Sequence, residues 1–138
     1  MKKRGDSNEF VRDEKYAKPP KSFYRKYNID NFMIKQRNCF TINVSSNTKT
    51  HIIYLHGGSY KSQAVSLHWS LMSKLLKRLE CKLTFLDYPL APEFTCIDTV
   101  DMVVGAYKRI FKDSKDETIV LMGDSAGAGL ALSLAQVI

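Results

Sequence analysis

The sequence predicts an α/β domain in which a mostly parallel sheet carries an antiparallel hairpin at its N-terminal edge. Three observations predict it. Short, nearly continuous apolar runs recur at 51–55, 82–88 and 118–122, as expected of strands buried on both faces. Each run is followed by a stretch whose apolar residues return at helical spacing. Ahead of them, residues 31–45 alternate apolar with polar, the pattern of half-buried strands. Strand and helix in alternation imply parallel strands joined by right-handed crossovers.

Taken in order, residues 1–30 are polar and divided by Pro19-Pro20, which sets them apart as an N-terminal tail or cap segment from a domain of 31–138. Asn8–Lys18 is expected to form a marginal helix, and Ser22–Tyr27 clusters aromatics with cations. Phe32 and Ile34, then Phe40, Ile42 and Val44, place strands at 31–37 and 39–45, paired through a turn at Arg37-Asn38. His51–Leu55 belongs in the middle of the sheet. From Ser62 to Leu79 a helix presents Val65, Trp69, Met72, Leu75, Leu76 and Leu79 on one face, with Lys74, Lys77 and Arg78 opposite. After the Lys82–Tyr88 strand, Thr95 and Asp98 form a capping box. The helix it opens has Ile97, Val100, Val104, Tyr107 and Phe111 as its inner stripe. The last pair is the strand Thr118–Met122 and the apolar helix Ala126–Ile138.

Composition removes several function classes. A chain of 138 residues, 44% hydrophobic and 25% charged, makes one globular domain that buries about two thirds of its unfolded surface. Its net charge of +7 is spread along the chain: residues 1–30 hold nine basic and five acidic side chains, residues 31–138 twelve and nine. No arginine-rich helix, aromatic RNA-binding signature or zinc-finger spacing accompanies it, so the charge reads as solvated surface rather than a nucleic-acid interface. The basic start Met1–Arg4 leads into no apolar run before Asn28, and no stretch of about 18 apolar residues occurs, so neither a secretory signal nor a membrane span is expected and the location is read as cytoplasmic. Cys39, Cys81 and Cys96 are odd in number and lack C-x-x-C spacing. They read as reduced thiols, and no metal site or organic cofactor is expected.

The chemistry is concentrated in three motifs. In Gly123-Asp124-Ser125-Ala126-Gly127 a serine sits between a strand and a helix. This is the pattern of a nucleophile elbow, in which the hydroxyl is presented at a strained apex and glycines let neighbouring backbone approach. After the strand at 51–55 comes His56-Gly57-Gly58-Ser59-Tyr60. Its backbone N–H groups at Gly57, Gly58 and Ser59, joined by that of Ala126 after the serine, suit a developing oxyanion in acyl transfer. The third motif is Asp87-Tyr88-Pro89-Leu90-Ala91-Pro92-Glu93. His56 is read as holding its loop by a structural hydrogen bond. His51 and His68 read as core or surface histidines. Tyr54 and Tyr60 are either pocket walls or aromatic core, and Asp98 with Asp101 is a first-turn pair favoured by the helix dipole rather than an acid pair.

These three motifs, in this order, resemble the hormone-sensitive-lipase-like branch of the α/β-hydrolases over roughly residues 30–138. The resemblance implies a partial α/β-hydrolase fold and a serine carboxylesterase acting on small acyl esters. Ser125 would be the nucleophile, Gly57, Gly58, Ser59 and Ala126 the oxyanion hole, and His56, Asp87, Tyr88, Glu93, Gly123, Asp124 and Gly127 the motif support. Asp124 is read as supporting the elbow rather than as the triad acid. Ser59 stands where the family has a third glycine, and Pro89 where it has arginine. The family's N-terminal residues help build a cap over the site, whereas a loosely docked tail is the alternative reading of residues 1–30.

One requirement is unmet. In this family's order the acid and the histidine follow the serine, yet the thirteen residues after Ser125 contain no Asp, Glu or His. The last helix reaches Gln136-Val137-Ile138 with no glycine, basic turn or proline to close it. The sequence is therefore read as the N-terminal half of an esterase, whose missing C-terminal half or a partner chain is needed for folding and activity. The alternative is a non-catalytic remnant or small ligand-binding module of the same origin.

Overall fold

The computed structural model describes residues 11–138. The basic start Met1–Arg4 and the first residues of the helix expected over 8–18 lie outside the described residues. The described remainder, 11–18, is extended and turned rather than helical. A short segment ahead of two prolines offers too few turns to repay helix nucleation, and its carbonyls are used elsewhere: the Trp69 indole N–H donates to the carbonyl of Tyr16 at 2.9 Å. Helix α1 (Lys21–Lys26) follows Pro20 and buries Phe23 edge-on against Trp69, with ring centroids 5.2 Å apart.

Strands β1 (Ile29–Ile34) and β2 (Arg37–Ile42) form the expected hairpin, but its turn is Lys35-Gln36, not Arg37-Asn38. Both turn residues take positive φ, 48° and 64°, the two-residue geometry whose twist matches that of the flanking strands. The earlier turn leaves Arg37 inside β2. From there its guanidinium donates to the Asp87 carboxylate and to the Asp87 carbonyl, both at 2.9 Å.

The remaining elements are β3 (Thr50–Leu55), α2 (Ser66–Arg78), β4 (Lys82–Leu86), α3 (Cys96–Asp113), β5 (Thr118–Gly123) and α4 (Ala126–Val137). The sheet order is β1-β2-β4-β3-β5, with β3 parallel to both of its neighbours and the hairpin antiparallel at one edge. Side chains of β3 alternate between two cores. Ile53 and Leu55 face α3 and α4, while Ile52 and Tyr54 face α1 and α2. The chain thus steps from β3 to β4 over one face and returns from β4 to β5 over the other, as a constant crossover hand requires when the direction of travel reverses. Because β3 and β5 are neighbours whose chains then leave toward opposite faces, a crevice opens beyond their C-terminal ends. Open α/β sheets bind ligands at such a point.

Two helices differ from expectation in detail. Helix α2 begins at Ser66, because residues 58–62 close a turn in which the Gly58 carbonyl accepts the N–H groups of Lys61 and Ser62. Val65 and Leu79 consequently become its exposed caps. In α3 the Thr95–Asp98 capping box forms as expected. Its buried face, however, is Thr99, Met102, Val103, Ala106 and Ile110, with Val100, Val104 and Tyr107 on the flank. Ile97 and Phe111 are 72% and 62% exposed. This helix is apolar on most of its circumference, so spacing identifies it without locating its centre. Packing does that: small residues such as Thr99 and Ala106 turn inward where β1 and α4 come close. Among the described residues no helix is long and apolar enough to cross a membrane.

Helix α4 lies unusually near β3. A Cβ at Gly127 would stand 1.9 Å from the Leu55 carbonyl oxygen, and one at Gly123 would stand 2.4 Å from Gly127 backbone. Backbone cannot yield as a flexible side chain would, so Gly127→Ala is expected to destabilise the fold by about 3 kcal/mol or more. Urea unfolding of the variant measures it, and a loss under about 1 kcal/mol would contradict this packing.

Candidate active site

Sequence dictates a turn where β5 ends, since Gly123 permits close approach and the small residues Ala126–Gly129 begin a helix at once. The result is an apex at Ser125, with φ 49° and ψ −119°. A non-glycine residue held there is strained by about 1–3 kcal/mol, and such strain persists only where the surroundings over-determine it. The Ser125 hydroxyl donates to no described residue, and the backbone N–H of Ala126 has no acceptor among the described residues.

Opposite lies the turn after β3. The Gly57 N–H donates to the Asp124 carboxylate at 3.0 Å, so of the N–H groups proposed for an oxyanion those of Gly58 and Ser59, with Ala126, are the ones without a protein acceptor among the described residues. Ser59 and Tyr60 adopt left-handed φ of 55° and 60°. Glycine would adopt that conformation with less strain, which accounts physically for the glycine that the resembled family has where this chain has Ser59.

Asp124 joins the two halves. Its carboxylate accepts from the Tyr54 hydroxyl at 2.7 Å, from Gly57 N–H, and from His68 Nε2 at 3.1 Å. Burial opposes its charge, but these three donors outweigh burial and hold the carboxyl below the usual carboxylate range. The same burial, with the Asp124 charge beside it, pushes the Tyr54 phenol up.

Neither nearby histidine is bonded to Ser125 among the described residues. His68 Nδ1 accepts the Val65 N–H at 2.9 Å, which places the ring proton on Nε2, where it is donated to Asp124. His56 is fully buried, and its Nδ1 lies 2.7 Å from the Gly57 carbonyl, to which it must donate. Its ring stacks on Tyr88 with centroids 4.5 Å apart, and its Nε2 meets no polar partner among the described residues. Burial brings its pKa down to about 4. His56 thus bonds its own loop through the Gly57 carbonyl, and it stays neutral near pH 7.

The third motif packs under this turn. Tyr88 donates its hydroxyl to the His56 carbonyl. Asp87 accepts from Arg37 and, at 2.8 Å, from Gln63; burial nevertheless leaves its pKa raised. Glu93 is paired with Arg12, whose guanidinium also donates to the carbonyls of Lys61 at 2.6 Å and Ala91 at 2.7 Å. The bonds of Arg12 to Glu93, Arg37 and Gln63 to Asp87, and His68 to Asp124 carried no signal in the sequence, because they span 24 to 81 residues.

Comparison with known proteins agrees with this geometry. A family model described as alpha/beta hydrolase fold matches residues 52–138. The chain belongs to the α/β-hydrolase family. Within it, the chain is similar to esterases and to a hormone-sensitive lipase. An esterase of Acinetobacter venetianus is 34% identical over 84 residues, 60% of this chain and 28% of that protein. Esterase LipU of Mycobacterium tuberculosis is 34% identical over 90 residues, 64% of this chain and 30% of that protein. A crystal structure of a hormone-sensitive lipase from a metagenome library superposes with a TM-score of 0.70 at 32% identity, covering 80% of this chain and 38% of that one. This α/β-hydrolase chain thus spans less than a third of the length of these two curated relatives and under two fifths of the solved structure.

The buried His56 gives a pH signature. Its folded pKa, about 4, lies below the ordinary 6.5. Stability from keeping it neutral is therefore fully present above pH 6.5 and is lost as pH falls through 4, by up to roughly 3 kcal/mol. Urea midpoints of the protein should fall across this window, and those of His56→Gln should fall less. Parallel profiles would remove His56 as the cause.

Proposed function

We propose that the chain carries the nucleophile half of a serine ester hydrolase. Ser125 attacks the carbonyl carbon of a small acyl ester, the carbonyl oxygen becomes an oxyanion held by the N–H groups of Gly58, Ser59 and Ala126, and the alcohol leaves to give an acyl-serine that water then hydrolyses. The observation that carries this reading is the strained Ser125 apex, set beside three backbone donors without acceptors among the described residues by the Asp124 carboxylate, which ties both loops together. Gly57, Asp87, Tyr88, Glu93, Gly123 and Gly127 serve by shape and support.

With His68 engaged at both ring nitrogens and the unpartnered Nε2 of His56 buried, the general base and its acid in this reading come from polypeptide outside residues 11–138. A serine without its base loses roughly a millionfold in turnover. That neither histidine bonds Ser125 among the described residues favours a second reading, a ligand-binding module that does not turn over. Two proteins separate these readings: the chain itself, and a chimera in which the part of the Acinetobacter venetianus esterase following its elbow helix is joined after Ile138. With p-nitrophenyl acetate the chain is expected to match its Ser125→Ala variant, while the chimera hydrolyses the ester in a manner abolished by Ser125→Ala. Serine-dependent turnover by the chain alone would overturn the need for an outside base, and a folded but inactive chimera would favour the binding module.

A further inference from the structure

The basic excess is spread along the sequence, but folding sorts it by layer. Helices α1 and α2, which cover one face of the sheet, hold Lys21, Arg25, Lys26, Lys74, Lys77 and Arg78 and no acidic residue. On the other face α3 balances Lys108, Arg109 and Lys112 against Asp98, Asp101 and Asp113, and α4 carries no charge. All six cations of the first layer are exposed, and none forms an ion pair among the described residues. Arg37, Lys82 and Arg109, on other elements, each meet a carboxylate.

Between α1 and α2 runs a groove of about 400 Å³. Along α2 it is lined by Ser66, Ser70, Ser73, Lys74 and Lys77, positions that share one helical face over about 16 Å. The three serine hydroxyls bond no acceptor among the described residues. Phe23 and Trp69 also line the groove but are only 5% and 2% exposed, because they pack on each other and on the sheet. A protein partner is gripped chiefly by anchors buried in apolar pockets. This groove offers cations and hydroxyl donors instead.

Those groups suit phosphate and carboxylate oxygens. A cluster of roughly four to eight Lys or Arg is drawn to the negative potential of an anionic leaflet, and six lie here on adjoining helices. Tyr24, 53% exposed, stands among the cations of α1. An aromatic with an apolar body and a polar tip fits the depth of lipid headgroups.

We propose that the α1–α2 face docks the protein on an anionic lipid surface, with Lys74, Lys77 and the groove serines receiving a headgroup. The inference stands on charge and shape and does not depend on the ester-hydrolase reading. It also fixes an orientation. His68, in the first turn of α2, donates to Asp124, so the docked face adjoins the crevice and holds it at the rim of the bilayer.

The test is vesicle flotation with the full chain. Vesicles of phosphatidylcholine alone are compared with vesicles in which phosphatidylserine replaces one lipid in three. Expected is flotation with the second kind and not with the first, lost as sodium chloride is raised well above physiological concentration, since salt screens exposed charges. Lys74→Glu with Lys77→Glu is expected to lower the partition coefficient at least tenfold. Lys21→Glu with Arg25→Glu, on the other helix, should do the same and serves if the first variant does not fold. Lys108→Glu with Lys112→Glu removes the same net charge from exposed positions of α3 and should change the coefficient less than threefold. Equal flotation with both vesicles, no flotation, or an equal loss in the α3 variant would overturn the proposal. So would tight binding of soluble polyglutamate by a chain that floats with neither vesicle, which would assign the face to an acidic protein.

Discussion

The carboxylate of Asp124 is the group on which the functional end of the molecule depends. It receives a phenol from β3, a backbone N–H from the turn after β3 and an imidazole N–H from α2, while its own backbone forms the approach to Ser125. Each bond to a charged acceptor contributes on the order of 1 kcal/mol once partial exposure is discounted. Their larger effect is geometric. They fix the distance between two loops that backbone sterics alone would leave free, and together with the Val65 N–H on Nδ1 they engage both ring nitrogens of His68.

Much of the fold was legible because its signals are local. Continuous apolar runs marked β3, β4 and β5, and the capping box at Thr95 and Asp98 marked the start of α3. The sharp turns after β3 and β5 were legible for the same reason: backbone that must bend sharply demands glycine or small residues at fixed offsets. Where several placements satisfied the same local pattern, the sequence was ambiguous. The hairpin turn at Lys35-Gln36 has no glycine or asparagine to announce its positive φ, and the reach of Arg37 to Asp87 decides it. The phase of α3 is decided by which residues are small enough to let α4 approach. Wholly illegible were contacts closed over long stretches of chain, such as Tyr54 and His68 with Asp124.

The N-terminal segment illustrates the last point. Read from sequence it was polar and without chemistry, with two outcomes equally open. In the structure Arg12 bonds the carbonyl after the oxyanion turn, the carbonyl of Ala91 and the carboxylate of Glu93, and Glu14 accepts from Gln63, which also holds Asp87. A single polar chain therefore runs from Arg37 through Asp87 and Gln63 to the first described residues, beneath the turn that faces Ser125. Within the basic excess of this segment, Arg12 has a carboxylate partner inside the molecule.

The crevice beyond β3 and β5 exists because the chain leaves neighbouring strands toward opposite faces, and no side chain has to be removed to make it. Its presence is a property of routing, whereas its lining belongs to loops and helix ends that carry little of the two cores. Substitutions in those loops and helix ends can therefore reshape the crevice while the sheet beneath is unaffected. In a fold wired this way, the lining can change at little cost in stability.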